Sequence, residues 1–164
     1  MNFTTPVELP ANLPRLRHAD RLLLLGSCFA TNMGTRLADA KFSCDINPYG
    51  VLYNPLSISE TLEKINERIA RAHEWIFRSD CLLLTFGTSW VYEQKNTGRI
   101  VGNCHKLPGK EFILRRLTVD EIVSDYTSLL SGLLARNSGL KVILTVSPIR
   151  HARDGMHANQ LSKA

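Results

Sequence analysis

The chain has 164 residues, 44% of them hydrophobic, 21% charged and 7% aromatic, with Lys and Arg outnumbering Asp and Glu by 20 to 15. That composition excludes a disordered or fibrous chain and fits one globular domain over residues 1–164, large enough to bury a core without disulfides or a structural metal. The longest apolar runs, Leu22–Leu25, Cys81–Phe86 and Val142–Val146, are far shorter than the roughly 20 residues of a membrane helix, so no membrane partner is expected.

The net charge of +5 is spread over short groups, Arg15 to Arg21, Arg115–Arg116 and Arg150 to Arg153, with acids between them and no interleaved aromatics. Nucleic acid is therefore not an expected partner. Cys28, Cys44, Cys81 and Cys104 are too widely spaced for a paired metal-ligand motif, and Gly26 to Gly34 matches neither glycine-rich phosphate-binding pattern, so no metal or other cofactor is expected. Residues Met1 to Pro14 carry three prolines and an acid but neither a basic start nor an apolar stretch, so they do not read as a signal peptide. The expected location is the reducing cytoplasm.

In chain order, Arg21–Leu25 is an apolar run that stops at Gly26, the pattern of a strand covered on both faces. Phe29, Met33 and Leu37 then recur at four-residue steps beside Ala30, Gly34 and Ala38, predicting a helix over Phe29–Ala40 that lies close to a sheet. Phe42–Ile46 reads as a second strand and Asn47 to Gly50 as a turn. The capping box Ser57 to Glu60 is expected to open a helix whose stripe is Ile58, Leu62, Ile65 and Ile69. Cys81–Phe86 is a third strand, followed by a β-hairpin built from Trp90–Glu93 and Ile100–Cys104 around Lys95 to Gly98. A second capping box, Thr118 to Glu121, leads a helix through Ile122, Tyr126, Leu129, Leu130 and Leu133 to the stop at Asn137 to Gly139. Leu140–Val146 is a fourth strand, and Ala158–Ala164 begins a further helix.

Apolar strands alternating with amphipathic helices predict an α/β fold, a mostly parallel sheet with helices on both faces. In such folds functional groups gather beyond the carboxyl ends of the strands. Those ends are Gly26 to Cys28, Asn47 to Gly50, Gly87 to Ser89 and Ser147 to His157. The first of them sets a hydroxyl and a thiol at the start of a helix, where unpaired N–H groups lower a thiol pKa or hold an oxyanion. A plainer role for both is equally consistent with these residues: Ser27 as the helix cap and Cys28 as apolar filler.

The pentapeptide Gly26 to Ala30 spells the name-giving motif of the GSCFA-domain family, and the likeness extends through Asn47 to Pro55, Thr85 to Glu93, Asn103 to Lys106 and Thr145 to His151 with Asp154 to Lys163. The chain thus resembles that family, which is in turn similar to SGNH/GDSL-type hydrolases. The resemblance implies a flavodoxin-like three-layer α/β/α fold with the hairpin inserted. It also implies ester hydrolysis or acyl transfer on a small-molecule or glycan ester, for instance a carbohydrate O-acetyl group.

Carried over by register, the nucleophile is Cys28, with Ser27 as the alternative. Gly50 corresponds to an oxyanion-hole glycine. Ser89 stands where the SGNH pattern has an oxyanion-binding Asn, a role Asn103 is also placed to take. His105 and His151 are further substrate or base candidates. Asp154 and His157 have the spacing of the SGNH acid/base pair, one βα unit too early. On that ground the last βα unit is expected to be missing, with self-association of an uncovered sheet edge as its consequence. The competing reading is a non-catalytic binding module that keeps the strand-end pocket.

Overall fold

The computed structural model describes residues 10–68, 78–101, 108–150 and 155–163. Four parallel strands form the main sheet: β1 (Arg21–Gly26), β2 (Ser43–Ile46), β3 (Cys81–Phe86) and the last strand of the chain's described residues, β7 (Lys141–Val146). They stand in the order β2-β1-β3-β7. The register pairs Leu24 with Ile46 on one side and with Leu83 on the other, and Leu83 in turn with Ile143. Helix α1 (Cys28–Asp39) packs on one face, against Leu22, Leu24, Cys81 and the partly buried Ile46, Leu83 and Ile143. Helices α2 (Pro55–Arg68) and α3 (Val119–Arg136) cover the other. Ile58, Leu62, Tyr126, Leu129 and Leu133 there meet Leu23, Leu25, Leu82 and Leu84 in the larger core. Helices on both faces of a parallel sheet make the expected three-layer α/β/α arrangement, and the fully buried Leu22–Leu25 run follows from it, since β1 is central and covered twice.

A second, antiparallel sheet has the order β5-β4-β6, formed by β4 (Trp90–Gln94), β5 (Ile100–Val101) and β6 (Phe112–Arg116). The β4–β5 pairing is the expected hairpin, Glu93 opposite Ile100. Strand β6, pairing Trp90 with Arg116, was not anticipated: Ile113 and Leu114 are exposed together, so the segment lacks the alternation that marks a half-buried strand. Its register is held by Arg115, whose Nε donates to Glu93 at 2.7 Å while its Nη1 lies 2.8 Å from Glu121.

Helix boundaries follow capping chemistry. Thr118 and Glu121 form the reciprocal capping box at the start of α3, as expected. Helix α2 begins three residues before its expected opening, because Asn54 rather than Ser57 is the cap: its Oδ1 accepts from Ser57 N at 2.8 Å and Pro55 takes the first helical position. Helix α1 starts at Cys28 and ends in a left-handed residue, Lys41 (φ +69°), whose N–H donates to Ala38 O while Phe42 N–H reaches Leu37 O. A short α4 (Met156–Leu161) stands in place of the expected start at Ala158. Ile69, in the expected α2 stripe, lies outside the described residues, as does the Ile65 side chain.

Candidate functional site

Strand order reverses between β1 and β3: the chain leaves β1 for β2 on one side and returns across it to β3 on the other. In an open parallel sheet this switch point parts the crossover helices and leaves a crevice at the carboxyl ends. Here the crevice is walled by Gly26 to Cys28 from β1 and Gly87 to Ser89 from β3.

The two walls meet closely at glycines. Gly26 has φ +150°, and a Cβ there would lie 2.8 Å from Thr85 Cβ and overlap Thr85 O, so only glycine brings β1 out of the sheet at this angle. Gly87 lies between the Gly26 to Cys28 turn and the segment Val51 to Asn54; a Cβ on it would stand 3.3 Å from Ser27 Cβ and 2.9 Å from Tyr53 O. That segment straps the crevice. Leu52 N donates to Gly26 O at 2.9 Å, and Tyr53 O accepts from Gly87 N at 2.7 Å and Thr88 N at 2.9 Å. Tyr49, Val51 and Tyr53 are exposed at alternate positions along the strap and its approach.

Ser27 and Cys28 are brought to this turn in different states. Ser27 is buried and caps α1, its Oγ accepting from Phe29 N at 3.3 Å. Cys28 is the first residue of α1 and is exposed with a free thiol. Ala30 N and Thr31 N both donate to Ser27 O, so Cys28 N–H is the amide of the first turn that has no acceptor among the described residues. Burial raises the pKa of the other thiols described, Cys44 and Cys81, the latter to about 11.

The backbone amides of two expected oxyanion residues, Gly50 and Ser89, are bonded within the protein. Gly50 (φ +89°) closes the Asn47 to Gly50 turn, its N–H donating to Asn47 O at 2.9 Å. Ser89 is buried at the β3 exit, where its N–H donates to Ser162 Oγ at 2.9 Å. His157 is exposed on α4. His18 lies at the opposite, amino end of the sheet, stacked on Phe42 at 4.3 Å with Nε2 at Ala40 O. Asn103, His105, His151 and Asp154 lie outside the described residues.

Three groups at the crevice escaped the sequence reasoning. Lys163 extends its ammonium to the ends of β3 and β7, donating to Gly87 O at 2.6 Å and Ser147 O at 2.7 Å. Ser162 contacts Thr88 Oγ1 at 3.0 Å besides accepting from Ser89 N. Asn47 bonds Gly26 through its side chain. A cavity of about 280 Å³ is lined by Leu52 and Tyr53 of the strap together with Glu60, Lys64 and Arg99. A second, of about 180 Å³ and mostly apolar, lies between Phe86, Thr88, Val119, Val123 and Val146.

Among the described residues no cluster of three or more His, Cys, Asp or Glu is placed to hold a metal, and no helix is long and apolar enough to cross a membrane. No curated protein matches the chain. The GSCFA family profile matches it at residues 21–65 and 57–164, taking in the Gly26 to Cys28 turn, the strap, the β3 exit and α4; the chain belongs to the GSCFA family.

Proposed function

We propose that this chain is an SGNH-like ester hydrolase or acyltransferase that works through Cys28. The observation that carries the reading is the division of labour in one turn: at the switch point of the sheet, Ser27 is buried as a cap while the neighbouring thiol is exposed at the helix start. A cap serine already accepting a backbone bond has to break it to attack, whereas a thiolate needs no such rearrangement and is the stronger nucleophile near neutral pH.

The proposed step is addition of the Cys28 sulfur to an ester carbonyl carbon, with the thiol proton passing to a base. The oxyanion so formed is stabilised by the Cys28 N–H and the positive end of α1. Collapse breaks the ester C–O bond, the alcohol departs with a proton, and the acyl group stays on sulfur as a thioester. Water or a second hydroxyl then takes the acyl group and returns the thiolate. Of the two histidines among the described residues, His157 is the candidate base, because His18 sits at the other end of the sheet. The exposed Tyr49 and Tyr53 beside the turn suit the flat face of a sugar, in keeping with a glycan ester as substrate.

The second reading, a binding module without turnover, is favoured by one observation: the N–H of Gly50, the glycine expected to serve the oxyanion, is spent on Asn47 O. Hydrolysis of p-nitrophenyl acetate separates the two. The ester-hydrolase reading expects Cys28→Ala to lower turnover by about 10²-fold or more, and an acetyl group to appear on the Cys28 peptide after rapid quenching. Turnover that is indifferent to Cys28→Ala, with no acetylated Cys28, would leave the binding module.

A further inference from the structure

Asn47 follows β2, and its backbone is left-handed at φ +45°, a conformation Asn tolerates better than other side-chain-bearing residues. Four hydrogen bonds fix it. Its N–H donates to Leu24 O at 2.8 Å, and its carbonyl accepts from Gly50 N at 2.9 Å. Its side chain then bridges two elements: Oδ1 accepts from Gly26 N at 2.9 Å, and Nδ2 donates to Thr31 Oγ1 at 2.9 Å. Gly26 is the last residue of β1 and Thr31 lies in the first turn of α1, so one planar amide ties together the two sides of the turn that carries Ser27 and Cys28.

We propose that Asn47 is a positioning residue for the Cys28 thiol, an assignment that rests on the reading of Cys28 as nucleophile. The turn has nothing covalent to set its pitch. Gly26 contributes the conformational freedom that lets β1 leave the sheet, and that same freedom leaves the direction of the Cys28 Cα–Cβ bond undetermined. The Asn47 amide removes it by holding the strand end and the helix start at one spacing. The exposed thiol then stays seated at the start of α1, the end of a helix that favours thiolate over thiol. Asn fits this place because the bridge needs an acceptor for Gly26 N–H and a donor for Thr31 on one short side chain that also sits at positive φ. Asp45 and Tyr49 are the titratable groups nearest in sequence. Burial raises the pKa of both, and the neighbouring Asp45 charge adds to the rise at Tyr49.

The test is the pH profile of Cys28 alkylation by iodoacetamide, followed by peptide mass spectrometry in wild type, Asn47→Gly and Thr31→Val. Asn47→Gly keeps the left-handed turn and removes the whole bridge; Thr31→Val removes one of its two bonds without touching the turn. The bridge predicts that both variants shift the profile to higher pH, slowing labelling at pH 7 by roughly 3- to 10-fold for Asn47→Gly and less for Thr31→Val, while the limiting rate at high pH is unchanged. A general loosening of the fold would instead expose Cys81 and raise its labelling. Superimposable profiles in all three proteins would overturn the role of Asn47 and leave Cys28 as nucleophile. A wild-type Cys28 that titrates like a thiol in the urea-unfolded chain would overturn the reading of Cys28 itself.

Discussion

Replacing Gly87 by Ala tests whether the crevice is as tightly closed as its hydrogen bonds imply. The added Cβ would meet Tyr53 O at 2.9 Å, Ser27 Cβ at 3.3 Å and Tyr53 Cα at 3.5 Å, two of them backbone atoms and the third on a buried cap residue. Residue 87 has no easy retreat. Its N–H is bonded to Tyr53 O at 2.7 Å and its carbonyl to Lys163 Nζ at 2.6 Å, so moving away from the strap stretches one bond and moving along it stretches the other. Overpacking of this kind costs about 1–3 kcal/mol, and a weakened hydrogen bond of roughly 1 kcal/mol places the expected loss in the upper part of that range. For a chain of this size each kcal/mol lowers Tm by about 2–4 °C, so a drop of roughly 4–12 °C is expected in differential scanning calorimetry. Gly109→Ala is the matched control, because a Cβ there meets nothing within 4 Å. A Gly87→Ala protein melting together with that control would show that the strap yields freely and that the contacts at Gly87 do not shape the Gly26 to Cys28 turn.

Gly132 is exposed in the middle of α3 with open space around its missing Cβ, so Gly132→Ala is expected to stabilise the chain by about 0.5–1 kcal/mol in urea titration, with an unchanged m value. Lys41→Gly is expected to act in the same direction by about 1 kcal/mol, since it keeps both C-terminal bonds of α1 and relieves the left-handed backbone. Tyr126→Phe, which removes a 2.9 Å hydrogen bond to Pro55 O between α3 and α2, is expected to cost about 0.5–1.5 kcal/mol by the same titration. The Asp20 carboxyl is held below the usual carboxylate range chiefly by the Arg17 backbone N–H, with burial opposing and Lys141 assisting. Its contribution is therefore present above the unfolded-state value of about 3.9 and lost as pH falls through the lower folded value, so Asp20→Asn should flatten the decline of Tm below roughly pH 4.

How far the sequence discloses the structure depends on where each element's information resides. The β1 and β3 runs were legible because strands covered on both faces carry their signal in composition alone, β7 because its run is equally apolar although Leu144 and Val146 are exposed at the sheet edge, and α3 because its capping box is a local four-residue device. The start of α2 was also written locally, in Asn54-Pro55, a cap residue followed by the imino acid that suits the first helical turn, but the Ser57 to Glu60 pattern competed with it. Strand β6 is different in kind: its residues become a strand through pairing with β4, and Ile113 and Leu114 side by side on the surface give no periodic sign of it.

The site divides along the same line. Ser27 and Cys28 were legible because a glycine turn between an apolar run and a helix is a sequence-local object. The groups that shape the turn come from elsewhere in the chain: Asn47 lies 21 residues beyond Gly26, and Lys163 is 76 residues beyond Gly87. Each is an ordinary polar residue after a strand or helix until the parallel register sets β2 beside β1 and brings the end of α4 to the exits of β3 and β7. The amino edge of the sheet shows why position has to be established before chemistry is assigned. Asp20 and Lys141 make a buried-carboxylate ion pair there at 3.1 Å, 121 residues apart, with stronger electrostatics than anything described in the crevice. Its place is at the amino ends of the strands, where it joins β7 to the segment leading into β1 and faces away from the switch point. Charge strength alone points to the amino ends of the strands, whereas strand order points to the carboxyl ends beside the β1–β3 switch point, where the proposed nucleophile Cys28 stands.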